Sequence, residues 1–98
     1  MPEEENQVAN EIKNYIDNEG LSYNGWYVGI TGNIQERLFE YHKVGQNDWI
    51  YKQCLDTDAA RRIEDYFVNQ LNTQGDVGGG EADAVFVYAY RITSATVQ

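Results

Sequence analysis

The residues best suited to chemistry gather in one stretch. Tyr27 and Gly29 fall near the end of an aromatic, β-branched run, and Arg37 and Tyr41 follow. The last two are four apart, one helical turn, so they share a face. An arginine offers a two-pronged fork to a phosphate, and a phenol can hydrogen-bond or move a proton. Tyr27, Arg37 and Tyr41 could therefore converge on a phosphate. The same spacing also fits a surface arginine beside core tyrosines with wet tips. Glu64 lies further on, next to Ile63 on an apolar stripe. One carboxylate, with waters and substrate phosphates, is a normal way to hold magnesium. The plainer reading of Glu64 is a solvated helix residue, with Arg61 and Arg62 as exposed ion-pair partners.

The remaining candidates carry less. His42 is the only histidine. At a helix end it reads either as a group compensating the dipole or as an extra member of the site. Cys54 is the only cysteine and sits in an apolar run, which points to a buried, inert thiol. The run Gly75-Asp76-Val77-Gly78-Gly79-Gly80 precedes a strand rather than a helix and lacks a phosphate-loop lysine, so it reads as a connector.

The elements that must position these residues follow from periodicity. Val8, Ile12 and Ile16 repeat every four residues and predict a helix from an Asn6 cap to a Gly20 stop. Asn24-Gly25 is a turn pair, and 26–31 is a strand in which Gly29 marks a bulge or a close approach. Asn33 and Glu36 resemble a capping box, opening a helix to about Lys43 with Ile34, Leu38 and Tyr41 on one stripe. A second strand spans 49–55. Asp56, Thr57 and Asp58 supply caps for a third helix over about 58–72, with Ala60, Ile63, Phe67 and Leu71 as its stripe. The third strand, 84–93, alternates Val85, Val87 and Ala89 against Phe86, Tyr88 and Tyr90. Three helices covering a three-stranded sheet give a small α+β or α/β sandwich.

Ninety-eight residues make one domain, 6–98, after an acidic tail at 1–5. The 42% hydrophobic and 13% aromatic content is enough to fold. Net charge is −9, which disfavours unspecific affinity for DNA, since phosphate binding needs basic groups. No apolar run approaches the ~18 residues that span a bilayer. The acidic start lacks a signal-peptide pattern. With no disulfide possible inside the chain, the expected setting is cytoplasmic.

Tyr27-Val28-Gly29, followed by Arg37, Tyr41 and Glu64 in order, resembles the GIY-YIG nuclease family over residues 25–72. The resemblance implies a small, mainly antiparallel three-stranded sheet flanked by helices. It also implies one-metal hydrolysis of phosphodiester bonds in DNA. Glu64 would hold Mg2+ or another divalent cation, and Arg37 would stabilise developing charge. Tyr27 and Tyr41 match positions that help activate water, with His42 adjacent to one where some members carry histidine. The family's first motif, Gly-Ile-Tyr on an upstream strand, is absent, for its place is Asp17 inside a helix. The expectation is a permuted arrangement in which 84–93 lies beside 26–31 and Tyr88 or Tyr90 replaces the missing tyrosine. Ile30 stands where several members carry a lysine, and no added DNA-binding module is expected within these residues. A protein partner supplying DNA binding, or a catalytically degenerate binding module, are the readings these departures suggest. An intact site would have Tyr27, Arg37, Glu64 and a C-terminal-strand tyrosine along one cleft, with Glu64 open to solvent.

Overall fold

Val8, Ile12 and Ile16 are wound onto one side of helix α1, Glu5–Glu19, and are fully buried. Gly20 ends the helix in the left-handed conformation, φ 76°, which glycine adopts without a Cβ penalty. The helix starts earlier than the Asn6 cap predicts. Glu4 is the N-cap, with no side-chain cap bond, and Glu5 belongs to the first turn rather than to a tail. These observations come from a computed structural model, which describes residues 4–20, 22–34, 49–75, 84–93 and 96.

A short 3-10 turn, Tyr23–Gly25, leads into strand β1, Trp26–Thr31. Strand β2 covers Trp49–Gln53, helix α2 covers Thr57–Asp65, and strand β3 covers Phe86–Arg91. Asp56 caps α2, its carboxylate accepting a hydrogen bond from the Ala59 N–H at 2.8 Å. The expected third helix does not run to 72 as a single α-helix: Tyr66–Gln70 is a π-helical turn. Most of the helix expected between Asn33 and Lys43 lies outside the described residues. Among the described residues the fold is therefore α+β with two α-helices and three strands.

The sheet is antiparallel, in the order β1-β3-β2. Its two faces are chemically distinct, as the alternation of β3 demands. Trp26, Val28 and Ile30 of β1 join Val87 and Ala89 of β3 in a core completed by α1 and by Ala60, Ile63 and Phe67. Cys54 is buried in the same core. Tyr88 and Tyr90 form a second cluster on the other face with Tyr27, Ile34, Trp49 and Ile92.

Beyond α2 the chain returns to the outer edge of β1. Gln74 donates its N–H to Trp26 O at 2.8 Å and accepts from Val28 N–H at 2.9 Å, a short parallel bridge. This shields one sheet edge from strand pairing with other chains.

Outside the core, Asp17 ties the end of α1 to the 3-10 turn. Tyr23 Oη donates to Asp17 Oδ1 at 2.5 Å, and Lys13 Nζ donates to Oδ2 at 3.1 Å. The Tyr23 hydrogen bond first, and Lys13 second, hold the Asp17 carboxyl below its ordinary value of 3.8. Burial, and then the bond to Asp17, push the Tyr23 phenol up. A depressed carboxyl contributes stability above its unfolded-state pKa and loses it as pH falls through the folded value. The Lys13 and Asp17 side chains are 39% and 45% exposed, so the effect on stability is small. It is best read at the residue. Tyr23→Phe is expected to raise the Asp17 midpoint in a carboxyl NMR titration, and an unchanged midpoint would show that Lys13 alone sets it.

Candidate active site

The tyrosine face is built by register. Tyr27 of β1 lies opposite Tyr90 of β3, and Gly29 lies opposite Tyr88. On the far side of β3, Trp49 faces Tyr90 and Tyr51 faces Tyr88. The Tyr27 and Tyr90 rings stack at 5.3 Å with 20° between planes, and Tyr27 and Tyr88 at 6.4 Å with 15°. The expectation that the C-terminal strand pairs with β1, and brings a tyrosine to it, is met in both particulars. Gly29 marks a close approach, not a bulge, because the register is one-to-one through it. A Cβ there would lie 2.5 Å from Tyr88 Oη and 2.7 Å from its Cζ.

Exposure separates the phenols. Tyr88 and Tyr90 are 1% and 0% exposed, whereas Tyr27 is half-buried. Of the three, only Tyr27 is accessible from solvent to an appreciable degree. At the end of β1, Thr31 Oγ1 accepts from Asn33 N–H at 3.0 Å and donates to Asn33 O at 3.2 Å. That pair of hydrogen bonds turns the chain out of β1 toward Ile34.

Glu64 is carried by α2, whose apolar residues pack on the Val28 face, and it is 3% exposed rather than open to solvent. It falls four residues after Ala60, inside the buried stripe, so the helix turns it inward. Its Oε1 is buried and receives no hydrogen bond, while the residue keeps another interaction. Carboxylate oxygen is the donor type magnesium takes, so Glu64 fits such an ion in chemistry. Among the described residues no group of three or more His, Cys, Asp or Glu is arranged to hold a metal. Arg37, Tyr41 and His42 lie outside the described residues.

Sequence reasoning missed two contributors. Trp49 and Tyr51 extend the aromatic face across β2, stacked at 5.8 Å, and their period-2 spacing was the available signal. Thr73–Gly75 edges β1 without carrying a strand-forming pattern. Gly75 is required by contact, since a Cβ would meet Val68 Cγ2 at 2.5 Å and Val28 O at 2.7 Å. Among the described residues no helix is long and apolar enough to cross a membrane. No protein-family model, curated protein or solved structure matches the chain significantly.

Proposed function

We propose that the chain is a permuted GIY-YIG-like, divalent-metal-dependent endonuclease acting on phosphodiester bonds in DNA. One observation carries this reading: β3 pairs with β1 so that Tyr88 faces Gly29 and Tyr90 stacks on Tyr27. A tyrosine thus stands beside the Tyr27-Val28-Gly29 strand although the upstream motif is missing. In this reading Tyr27, the most accessible of the three, acts as phenolate and takes a proton from the attacking water, becoming the phenol. Arg37 places its fork on the phosphate and meets the charge that develops there. Tyr41 and His42 add hydrogen bonds to the same phosphate. Glu64 would hold Mg2+, which supplies Lewis-acid polarisation of the phosphate when bound. With a net charge of −9, DNA affinity would come from a protein partner.

Magnesium-dependent cleavage of nicked, branched and single-stranded DNA tests the reading. Wild type is expected to cut, and Glu64→Gln and Arg37→Ala to lose about 100-fold or more in rate. Thermal melts establish that both variants fold. Equal rates in all three proteins, or none in any, would overturn it for those substrates.

A second reading is favoured by the 3% exposure of Glu64. A cation with its waters and a phosphate needs an open carboxylate, so a buried one suits a degenerate GIY-YIG-like domain that binds without cutting. Absence of cleavage in folded protein is its expected result.

A further inference from the structure

Away from the tyrosine face, two adjoining cavities run along the junction of α1 and α2. One, of about 400 Å³, is lined by Asn10, Ile63 and Tyr66 among others. The other, of about 360 Å³, is lined by Glu4, Leu55 and Asp56. They share Glu5, Asn6 and Arg62, so they form one groove. Each half has the size of a small-ligand or side-chain pocket.

Two features define what fits. The first is apolar surface at both ends. Leu55 is 65% exposed and Tyr66 38%, and they are two of the three large hydrophobic residues exposed among those described. A single exposed leucine needs no explanation, but apolar groups gathered on one groove mark an interaction surface. The second is charge. Glu4, Glu5 and Asp56 line the groove against one guanidinium, Arg62. That guanidinium is taken: its Nε donates to Glu5 Oε1 and Oε2 at 2.9 and 3.1 Å, and its Nη2 donates to Oε1 at 2.7 Å. Asp58 adds a further negative charge nearby.

We infer that this groove docks a basic, apolar-anchored segment of a protein partner. Its apolar side chains would seat against Leu55 and Tyr66, and its lysines or arginines would meet Glu4 and Asp56. The carboxylates argue against a nucleic acid or another anion in this place. They also argue against a second copy of this chain, which would set acid against acid. The inference stands whether or not the chain cuts DNA, because none of these residues belongs to the proposed catalytic set.

The test uses a fluorescently labelled peptide of lysines and leucines and a control with serine for every leucine at the same lysine count. Anisotropy titration of the full chain is expected to give about tenfold tighter binding for the leucine peptide. The double variant Leu55→Ser, Tyr66→Ser should bring that affinity down to the control level. Glu4→Gln should weaken binding and reduce its salt sensitivity. Glu19→Gln removes the same charge at the other end of α1 and should change nothing. Thermal melts confirm folding of each variant. Equal affinity for the two peptides, equal loss on Glu19→Gln, or unchanged binding by the folded double variant would overturn the inference. Sedimentation showing wild-type dimers that Leu55→Ser dissociates would overturn it too, by giving the groove to a second copy.

Discussion

Phe67→Ala is expected to lower folding stability by about 3–5 kcal/mol, the range for emptying a fully buried phenylalanine site. Phe67 has 0% exposure and sits in the core where α2 gives way to the π-helical turn. Its ring meets Tyr66 edge-on at 5.4 Å, and its carbonyl accepts from Thr73 N–H at 3.1 Å. The site therefore joins the helix to the segment that edges β1. Domains of this size have only about 5–15 kcal/mol in total, so the variant stands near unfolding at ordinary temperature. A melting temperature lower by about 12 °C or more is the corresponding thermal result. Phe67→Leu, which keeps most of the volume, should lose less than about 1.5 kcal/mol. Urea unfolding followed by fluorescence of the buried Trp26 measures both. A loss below about 1 kcal/mol in Phe67→Ala would mean that the turn rewinds and closes the cavity.

Gly29→Ala should destabilise by about 1–3 kcal/mol, while Gly25→Ala should be neutral or slightly stabilising. The added methyl at 29 meets Tyr88 Oη at 2.5 Å and Cζ at 2.7 Å, whereas at 25 it meets nothing within 4 Å. The Tyr88 ring is 1% exposed and cannot swing into solvent. The strand pair must part instead, and with it the Tyr27–Tyr90 stack. Combining Gly29→Ala with Tyr88→Val removes the obstructing ring, so the double variant should be more stable than the two single losses add up to. Strict additivity would show that the glycine is needed for some reason other than this contact.

Much of this architecture was legible because it is written in local periodicity. The four-residue repeat of Val8, Ile12 and Ile16 named the buried side of α1, and the alternation of β3 separated Val87 and Ala89 from Tyr88 and Tyr90. Gly20 as a stop and Asp56 as a cap followed from side-chain chemistry that acts within one turn. What escaped was non-local or subtle in hydrogen bonding. The stripe Ala60, Ile63, Phe67 reads the same whether the backbone bonds four or five residues back, so the π-helical turn left no mark. The pairing of β3 with β1 was expected from the family resemblance, not from pattern, and the place of β2 on the other side of β3 depends on which edges meet across most of the chain. Thr73–Gly75 pairs with β1 through backbone groups that every sequence possesses. In the site, the pairing of β3 with β1 that sets Tyr90 against Tyr27 is the part of the expected arrangement that is met. The inward turn of Glu64 was not, because a glutamate beside an apolar stripe reads equally as its solvated border.

The placement of β3 between β1 and β2 also has a meaning for biosynthesis. Trp26–Thr31 and Trp49–Gln53 are translated first, yet neither pairs with the other, and each must wait for Phe86–Arg91. A nascent chain carries two aromatic strands with unmet backbone groups until the segment that joins them emerges. Such long-range closure slows folding and prolongs exposure of sticky edges. Like-charge repulsion between chains of net charge −9 opposes association of such partly paired copies.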